Sequence, residues 1–579
     1  MTHKYNTHTT HKHSPVNGYF NIRRNQVYSQ LSRIITLHKG EFIMNNRLSI
    51  TDISNVVYSE MYIIEDDRYS LSDRIRFLTQ RGYLGLFEIT VDINPKATHS
   101  NDIGKGVVIL DDGTLTLPVG MYFSKKHINK YKTYLQTLFN RIFGDRHSFC
   151  VNDIIEVETW LSTIYIPGNT DIRLIKKTSA HRVFSEYGID LEYILNMSDT
   201  KKQDPIMICN PDGFDKITDM LLSYNNMNKL RSYWAYRIIT TYYWTVYDIS
   251  SIVYDFLMNI YNISNHPINV AYNMAYRPYA LSKYYHTTFM YKSNNDLCKK
   301  ICSMYVDTYI NAIVSNTWLS EVTKRVCITK LQKVKFIIGY KTNINLDVPY
   351  YERVDPISGL IDHNLKRYQR MCSEIGTKIV TNMTSYTVNA FNNIIENAIY
   401  IPTALLMPPI FNVDKDIVYN ISRLGFIIGH ELSHCLDNIG ILYDSTKIYH
   451  KDTFLNKSEL VIFTNRINSI YNYVIVNSST DGLDLSKTDF IHEILADITG
   501  FLLCENILCQ YVQVNHLNLR DILNSFYTQY THLWNTHRDT SMYMDVHLPD
   551  KYRIELVMMS SKHYQTIHNK SKAYDSVFI

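Results

Sequence analysis

No stretch of this sequence approaches the ~18 consecutive apolar residues of a membrane span. The most apolar candidate, residues 398–411, is interrupted by Pro402, Pro408 and Pro409. The apolar core of a secretory signal is missing near the start, where residues 1–15 are polar and carry His3, His8, His11 and His13; this segment reads as a disordered leader. Charge of one sign is lacking too. The 59 Lys and Arg nearly match the 55 Asp and Glu, leaving a formal net charge of +4 spread over 579 residues, which gives no electrostatic footprint for nucleic acid. The nine cysteines include no Cys-x-x-Cys pair, and Cys298 and Cys302, one helical turn apart, have no second pair to complete a structural zinc site. There is neither an internal repeat nor a long low-complexity linker. These absences predict a soluble chain, cytoplasmic or virion-associated, with no nucleic-acid partner and no membrane span.

A chain this long has material for two domains, and 45% hydrophobic with 20% charged residues is ordinary globular composition. The texture divides it into residues 16–345, mostly helical, and residues 346–579, which hold the chemistry. Within the first part, residues 107–110, the turn Asp112-Gly113 and residues 115–117 read as a β-hairpin. Residues 234–261 read as a long aromatic-rich amphipathic helix whose rings belong to the core. In the second part an extended segment at residues 388–391 is followed by a turn at Asn392-Asn393 and a returning strand at 398–401. One helix begins near Ile417 and another near Leu485.

Residues 430–434 read His-Glu-Leu-Ser-His. On a helix, positions i and i+4 share one face, so His430 and His434 can converge on one cation while Glu431 stands beside it. Chance supplies roughly 0.025 such matches in a chain of this composition. The flanking Phe426, Ile427, Ile428, Leu432 and Leu436 make the helix buried. Burying two imidazoles and a carboxylate without partners costs several kcal/mol, so a metal is the economical explanation. A catalytic zinc needs a third protein ligand and an open position. The apolar segment 490–503 supplies a candidate, because Glu493 and Asp497 lie one turn apart on one face. Charges in such a helix need partners: zinc for Glu493, and a histidine N–H for Asp497. His492 is a competing ligand, turned about 100° away on the helix. Asp437 is placed to accept from His434 as Asp497 would from His430, fixing both tautomers.

At this point the sequence resembles the neprilysin family of zinc endopeptidases, peptidase family M13. Residues 389–391 (Asn-Ala-Phe) resemble its substrate-binding strand, 401–411 its Pro-rich run, and 430–440 its extended zinc signature. Glu493 to Asp497 match its Glu-x-x-x-Asp helix, and residues 545–549 with Arg553 are similar to its His-x-Pro segment and trailing arginine. The resemblance implies two lobes enclosing a cavity, mainly α with a small β-sheet, the C-terminal lobe thermolysin-like. It implies that Asn389 and Ala390 bind the substrate backbone as an added strand, that His547 stabilises the oxyanion, and that Arg553 holds a substrate carbonyl. It further implies that Phe426 and Ile427 line an apolar pocket for the residue after the cleaved bond. The chain departs from the family pattern at His492 and Ile494, where Gly and Asn are usual around the glutamate, and at Leu436, where Phe is usual. The usual terminal Cys-x-x-Trp has no counterpart in residues 575–579.

Together these features predict one zinc ion per chain held by His430, His434 and Glu493, with Glu431 as catalytic base and peptides as substrates. The alternative is a catalytically weak peptide-binding or particle-associated structural protein that retains zinc. An intact Glu431 separates the two, because a structural site has no need of a base.

Overall fold

The computed structural model describes residues 18–38, 48–145, 147–165, 172–223, 227–261, 270, 273–274, 277–341, 356–480, 485, 490–534, 547–571 and 574–579. The leader at 1–15 and the Asp-Val of the His-x-Pro segment lie outside these residues.

Apolar faces sort the described chain into two cores, one per lobe. The first is built around the helices Ile50–Ile64, Leu71–Arg81, Lys125–Phe143 and Val151–Ile164, with Met227–Tyr242 at its centre. Capping boxes start two of them: Ser49 with Asp52, and Ser70 with Asp73, exchange side-chain and backbone hydrogen bonds. The second core gathers the helix Tyr19–Leu37, helices between 278 and 332, and most of the chain after residue 386. The cores do not part at residue 345. Apolar stripes on Tyr19–Leu37 and Lys292–Ser315 pack in the site lobe, while Pro356–Glu374 returns to the first core through Leu360 and Tyr368.

The β-structure among the described residues forms two small sheets. In the first, β1 (Phe87–Ile93) pairs antiparallel with β2 (Gly106–Asp112), which pairs in parallel with β4 (Ile206–Ile208), itself antiparallel to β3 (Lys176–Thr178). The hairpin expected at 107–117 is therefore not formed. Both edges of β2 are already taken, and beyond Gly113 the chain turns away, with Thr114 N–H on Gly85 O and Thr116 Oγ1 donating to the buried Glu158. The helix expected across 234–261 is broken at Tyr243–Thr245 into Met227–Tyr242 and Tyr247–Tyr261. In the second sheet, β7 (Ala398–Pro402) lies between β5 (Lys335–Gly339), parallel, and β6 (Phe391–Asn393), antiparallel. The turn falls at residues 394–397, two residues later than expected, since Asn392 and Asn393 pair with Ile399 and Ala398.

Two helical runs form the centre of the site lobe. Residues 417–433 begin at the N-cap Asp416, pass through a π turn at Ile421–Gly425 and end as Phe426–Ser433, every residue of which is buried. The helix Ile491–Asn515 starts six residues later than expected; it is buried on all sides from His492 to Glu505. The two runs meet at Gly429 and Gly500. A Cβ on Gly500 would stand 2.7 Å from His430 N, and one on Gly429 would stand 3.1 Å from Gly500 Cα. Only glycine permits this backbone approach. Farther along the second helix, Glu505 accepts hydrogen bonds from Tyr527 (2.6 Å) and Ser561 (2.5 Å). Burial pushes its carboxyl from 4.5 up to about 7. None of the nine cysteines forms a disulfide, and among the described residues no helix is long and apolar enough to cross a membrane.

Gly500→Ala is expected to cost about 1–3 kcal/mol by overpacking, read as a lower melting temperature. Glu505 holds its proton in the folded state at pH values where the unfolded chain has lost it. Its contribution to stability is thus complete below about 4.5 and lost as pH rises through about 7. Denaturation at pH 5 and pH 8 should show wild type losing more stability across that interval than Glu505→Gln.

Candidate active site

Because the two helices touch, their side chains converge. His430 Nε2 and His434 Nε2 lie 3.3 Å apart, and Glu493 Oε2 lies 3.1 Å from the first and 3.9 Å from the second. These three residues place ligand atoms within 4.8 Å of one another, and all are buried. Behind each ring stands a carboxylate: Asp497 Oδ1 is 2.8 Å from His430 Nδ1, and Asp437 Oδ2 is 2.7 Å from His434 Nδ1. Asp437 is itself fixed by the N–H groups of Ile439 and Gly440, at 2.8 and 2.6 Å. Asp497 takes a two-pronged contact from Arg553, Nε at 2.7 Å and Nη2 at 2.6 Å.

These partners assign the tautomers. With each Nδ1–H donating outward to a carboxylate, the neutral imidazole turns the lone pair of Nε2 inward. Two lone pairs and a carboxylate oxygen therefore face one point. Glu493 Oε2 is buried, and none of its close approaches is aligned as a hydrogen bond, an expensive condition for an anionic acceptor unless a cation completes it. Two imidazoles and one carboxylate form a donor set that suits zinc. The electrostatics likewise draw positive charge to this point. Burial would lower the pKa of His430, yet Asp497 and Glu493 outweigh it and hold the ring at about 9. Burial likewise opposes ionisation of Glu493, but the histidines around it keep the carboxyl well below the usual range. Glu431, 7% exposed, is raised by burial against the pull of His430 and His434.

The cluster opens into a cavity of about 760 Å³ whose wall includes Ile93, Ile109 and Ile175 from one lobe and the site residues from the other. Every residue singled out from the sequence lies on this wall except Asp497, which stands behind His430. Asn389 is exposed there, Ala390 is buried, and they lead into β6, whose strand partner among the described residues is β7. Phe426 packs edge-on against Tyr530 and Trp534 (centroids 4.9 and 5.9 Å), with Ile427 beside it on the cavity wall. His547 Nε2 is 3.0 Å from Glu493 Oε2. The guanidinium carbon of Arg553 stands over the Trp534 ring, 3.7 Å from its centroid, and the Arg553 backbone carbonyl accepts from Tyr530. His492, weighed from sequence as a ligand, is not one of the three converging residues; its Nε2 is 3.2 Å from the other oxygen, Glu493 Oε1.

Several contributors escape sequence reasoning. Asn392 Nδ2 donates to the backbone carbonyl of Glu431 at 2.6 Å and reaches Cys435 Sγ at 3.3 Å, pinning β6 to the helix that carries the base. Lys330, fully buried, donates to the carbonyls of Gly440 (2.5 Å) and Tyr443 (2.8 Å), closing the loop that begins at Asp437. The glycine within each apolar helix was the one available signal of close approach.

Two family models match the chain, both described as peptidase family M13, over residues 45–341 and 389–575. A zinc metalloproteinase of Acanthamoeba polyphaga mimivirus is 24% identical over 391 residues, 63% of this chain and 61% of that protein. The neutral endopeptidase of Lactococcus lactis subsp. cremoris is 26% identical over 154 residues, 25% of this chain and 24% of that one. The chain thus spans less than two thirds of the length of these curated relatives. The zinc metalloprotease Zmp1 of Mycobacterium tuberculosis, solved with an inhibitor, shares the fold at a TM-score of 0.79 and 16% identity, covering 99% of this chain and 94% of that one.

Arg553→Met removes the cation from a buried carboxylate and should cost about 3–5 kcal/mol. Asp497 is held below its ordinary 3.8, burial being outweighed by Arg553 and His430, so its contribution is present above that value and lost as pH falls through the folded one. Urea denaturation of the two proteins at pH 7 and in acid should show a gap that narrows as the pH drops.

Proposed function

The chain belongs to peptidase family M13, and from that premise we propose that it is a zinc-dependent endopeptidase cleaving oligopeptides on the amino side of apolar residues. The observation that carries this reading is the pairing of a three-donor nest, closed by an orphaned carboxylate oxygen, with a buried glutamate on the same cavity wall. His430, His434 and Glu493 would hold the ion, which when bound supplies Lewis acidity toward water and a peptide carbonyl.

The remaining chemistry falls to the chain. Glu431 takes the proton of the attacking water and delivers it to the leaving amine. Burial suits it to the first half, since a carboxylate whose pKa is raised above its ordinary 4.5 is the stronger base toward that water. His547, on the cavity wall, donates to the oxygen that becomes negative in the tetrahedral intermediate. Arg553 engages Asp497 through Nε and Nη2; Nη1 is the nitrogen with which it would hold a substrate carbonyl. A peptide laid along Asn389 and Ala390 would extend the sheet at β6. Phe426 and Ile427 would receive the apolar side chain that follows the cleaved bond.

The competing reading, a peptide-binding or particle-associated protein with structural zinc, leaves Glu431 without a purpose. Burying an unneeded carboxyl beside Glu493 is costly, so its presence favours catalysis.

Metal analysis and a quenched-fluorescence peptide library, applied to wild type and Glu431→Gln, test the proposal. Both proteins should carry one zinc, and the variant should lose about 10²–10⁴-fold in kcat/KM. Zinc in both with cleavage by neither would favour the binding-protein reading; equal cleavage would remove Glu431 from the mechanism.

A further inference from the structure

His492 stands directly before Glu493 in the sequence. It lies in the first turn of Ile491–Asn515 and is 5% exposed. Its Nε2 stands 3.2 Å from Glu493 Oε1, and its ring centroid is 6.1 Å from that of His434. The two oxygens of Glu493 are thereby sorted. Oε1 faces His492, whereas Oε2 faces His430, His434 and His547 at 3.1, 3.9 and 3.0 Å.

We propose that His492 is a positioning residue that holds Glu493 Oε1, so that this carboxylate offers the single oxygen Oε2 to the metal. The proposal rests on the zinc site of His430, His434 and Glu493 and adds a constraint to it. A carboxylate with both oxygens free can close on a cation through the pair of them and occupy the position that substrate needs. An N–H held against Oε1 opposes that swing. It also fixes the carboxylate plane, as the aspartates behind His430 and His434 fix the imidazole planes. A glycine at this position provides neither effect. The buried ring has little freedom to leave, since it is enclosed at the helix start while Glu493 is anchored from the other side by the histidine cluster.

Cobalt(II) in place of zinc makes coordination visible, because its d–d absorption weakens and shifts when a fifth ligand atom joins a four-coordinate site. The full chain should be prepared as wild type, His492→Met, His492→Gly and His492→Gln, with melting curves to verify folding. Met keeps the bulk and loses the donor, Gly is the residue usual in the related family, and Gln restores an N–H at a similar reach. Wild type and His492→Gln are expected to give the intense four-coordinate spectrum. The Met and Gly variants should give the weaker five-coordinate one, with about tenfold lower zinc affinity by chelator competition and a fall in kcat at little-changed KM. A wild-type spectrum and affinity in folded His492→Met or His492→Gly would show that the ring only fills space and would overturn the proposal. Failure of wild type itself to take up cobalt or zinc would overturn the metal site, and this proposal with it; loss of activity in Glu431→Gln bears on the base alone.

Discussion

The distance between two helices decides everything downstream at this site. Gly429 and Gly500 let the run 417–433 and the helix Ile491–Asn515 approach backbone to backbone, and short, stiff side chains can then span the remaining gap. His430 and His434 reach from one helix and Glu493 from the other, each needing no long flexible stem. A histidine or glutamate ligand loses little rotamer freedom when the packed backbones aim it. The tolerance of such a nest is a fraction of an ångström, and a methyl group between the helices exceeds it.

Charge is the second constraint, and it is met from outside inward. Asp437, Asp497, Glu431 and Glu493 are four buried carboxylates, and Arg553 is the guanidinium that enters their midst. Each aspartate is satisfied locally, one by two backbone N–H groups and the other by Arg553. Each in turn orients an imidazole. What is left over is the inward face of the cluster, where Glu493 Oε2 has charge without a donor. The fold thus concentrates its unbalanced negative charge on the spot where two nitrogen lone pairs already point. The loop leaving this spot is held by Lys330, a buried ammonium whose partners are carbonyls; burial pushes its pKa down, while the nearby Asp437 carboxylate opposes the shift.

Much of this is legible in the sequence where the physics is local. The i, i+4 spacing of His430 and His434 is a property of one helix, and two carboxylates in an otherwise apolar segment announce that they have partners. That Asp437 could turn back on His434 also follows from a three-residue separation. Partnerships across the fold are not legible. Nothing near Arg553 says that it will reach Asp497, and nothing near Asn392 says that it will hold the carbonyl of Glu431. The hairpin expected at 107–117 does not form because strand pairing is settled by competition: an Asp-Gly turn is permissive, but β1 and β4 take both edges of β2. The aromatic-rich run 234–261 is divided by a short turn at Tyr243–Thr245, which apolar periodicity alone does not mark.

The interleaving of the two cores has a consequence for how the protein is made. Residues from Ile53 to Ile260 complete most of one core with contacts among themselves. The other core joins Val27 and Leu31 to Tyr552, Leu556 and Val577. A ribosome emitting this chain therefore releases one lobe able to collapse early, while the opening helix waits for partners near the far end of the sequence. Histidine and glutamate ligands emerge before Arg553, so Asp497 remains an unneutralised charge until the last stretch is out. The lobe that carries the site thus closes its core only once residues 552–577 have emerged.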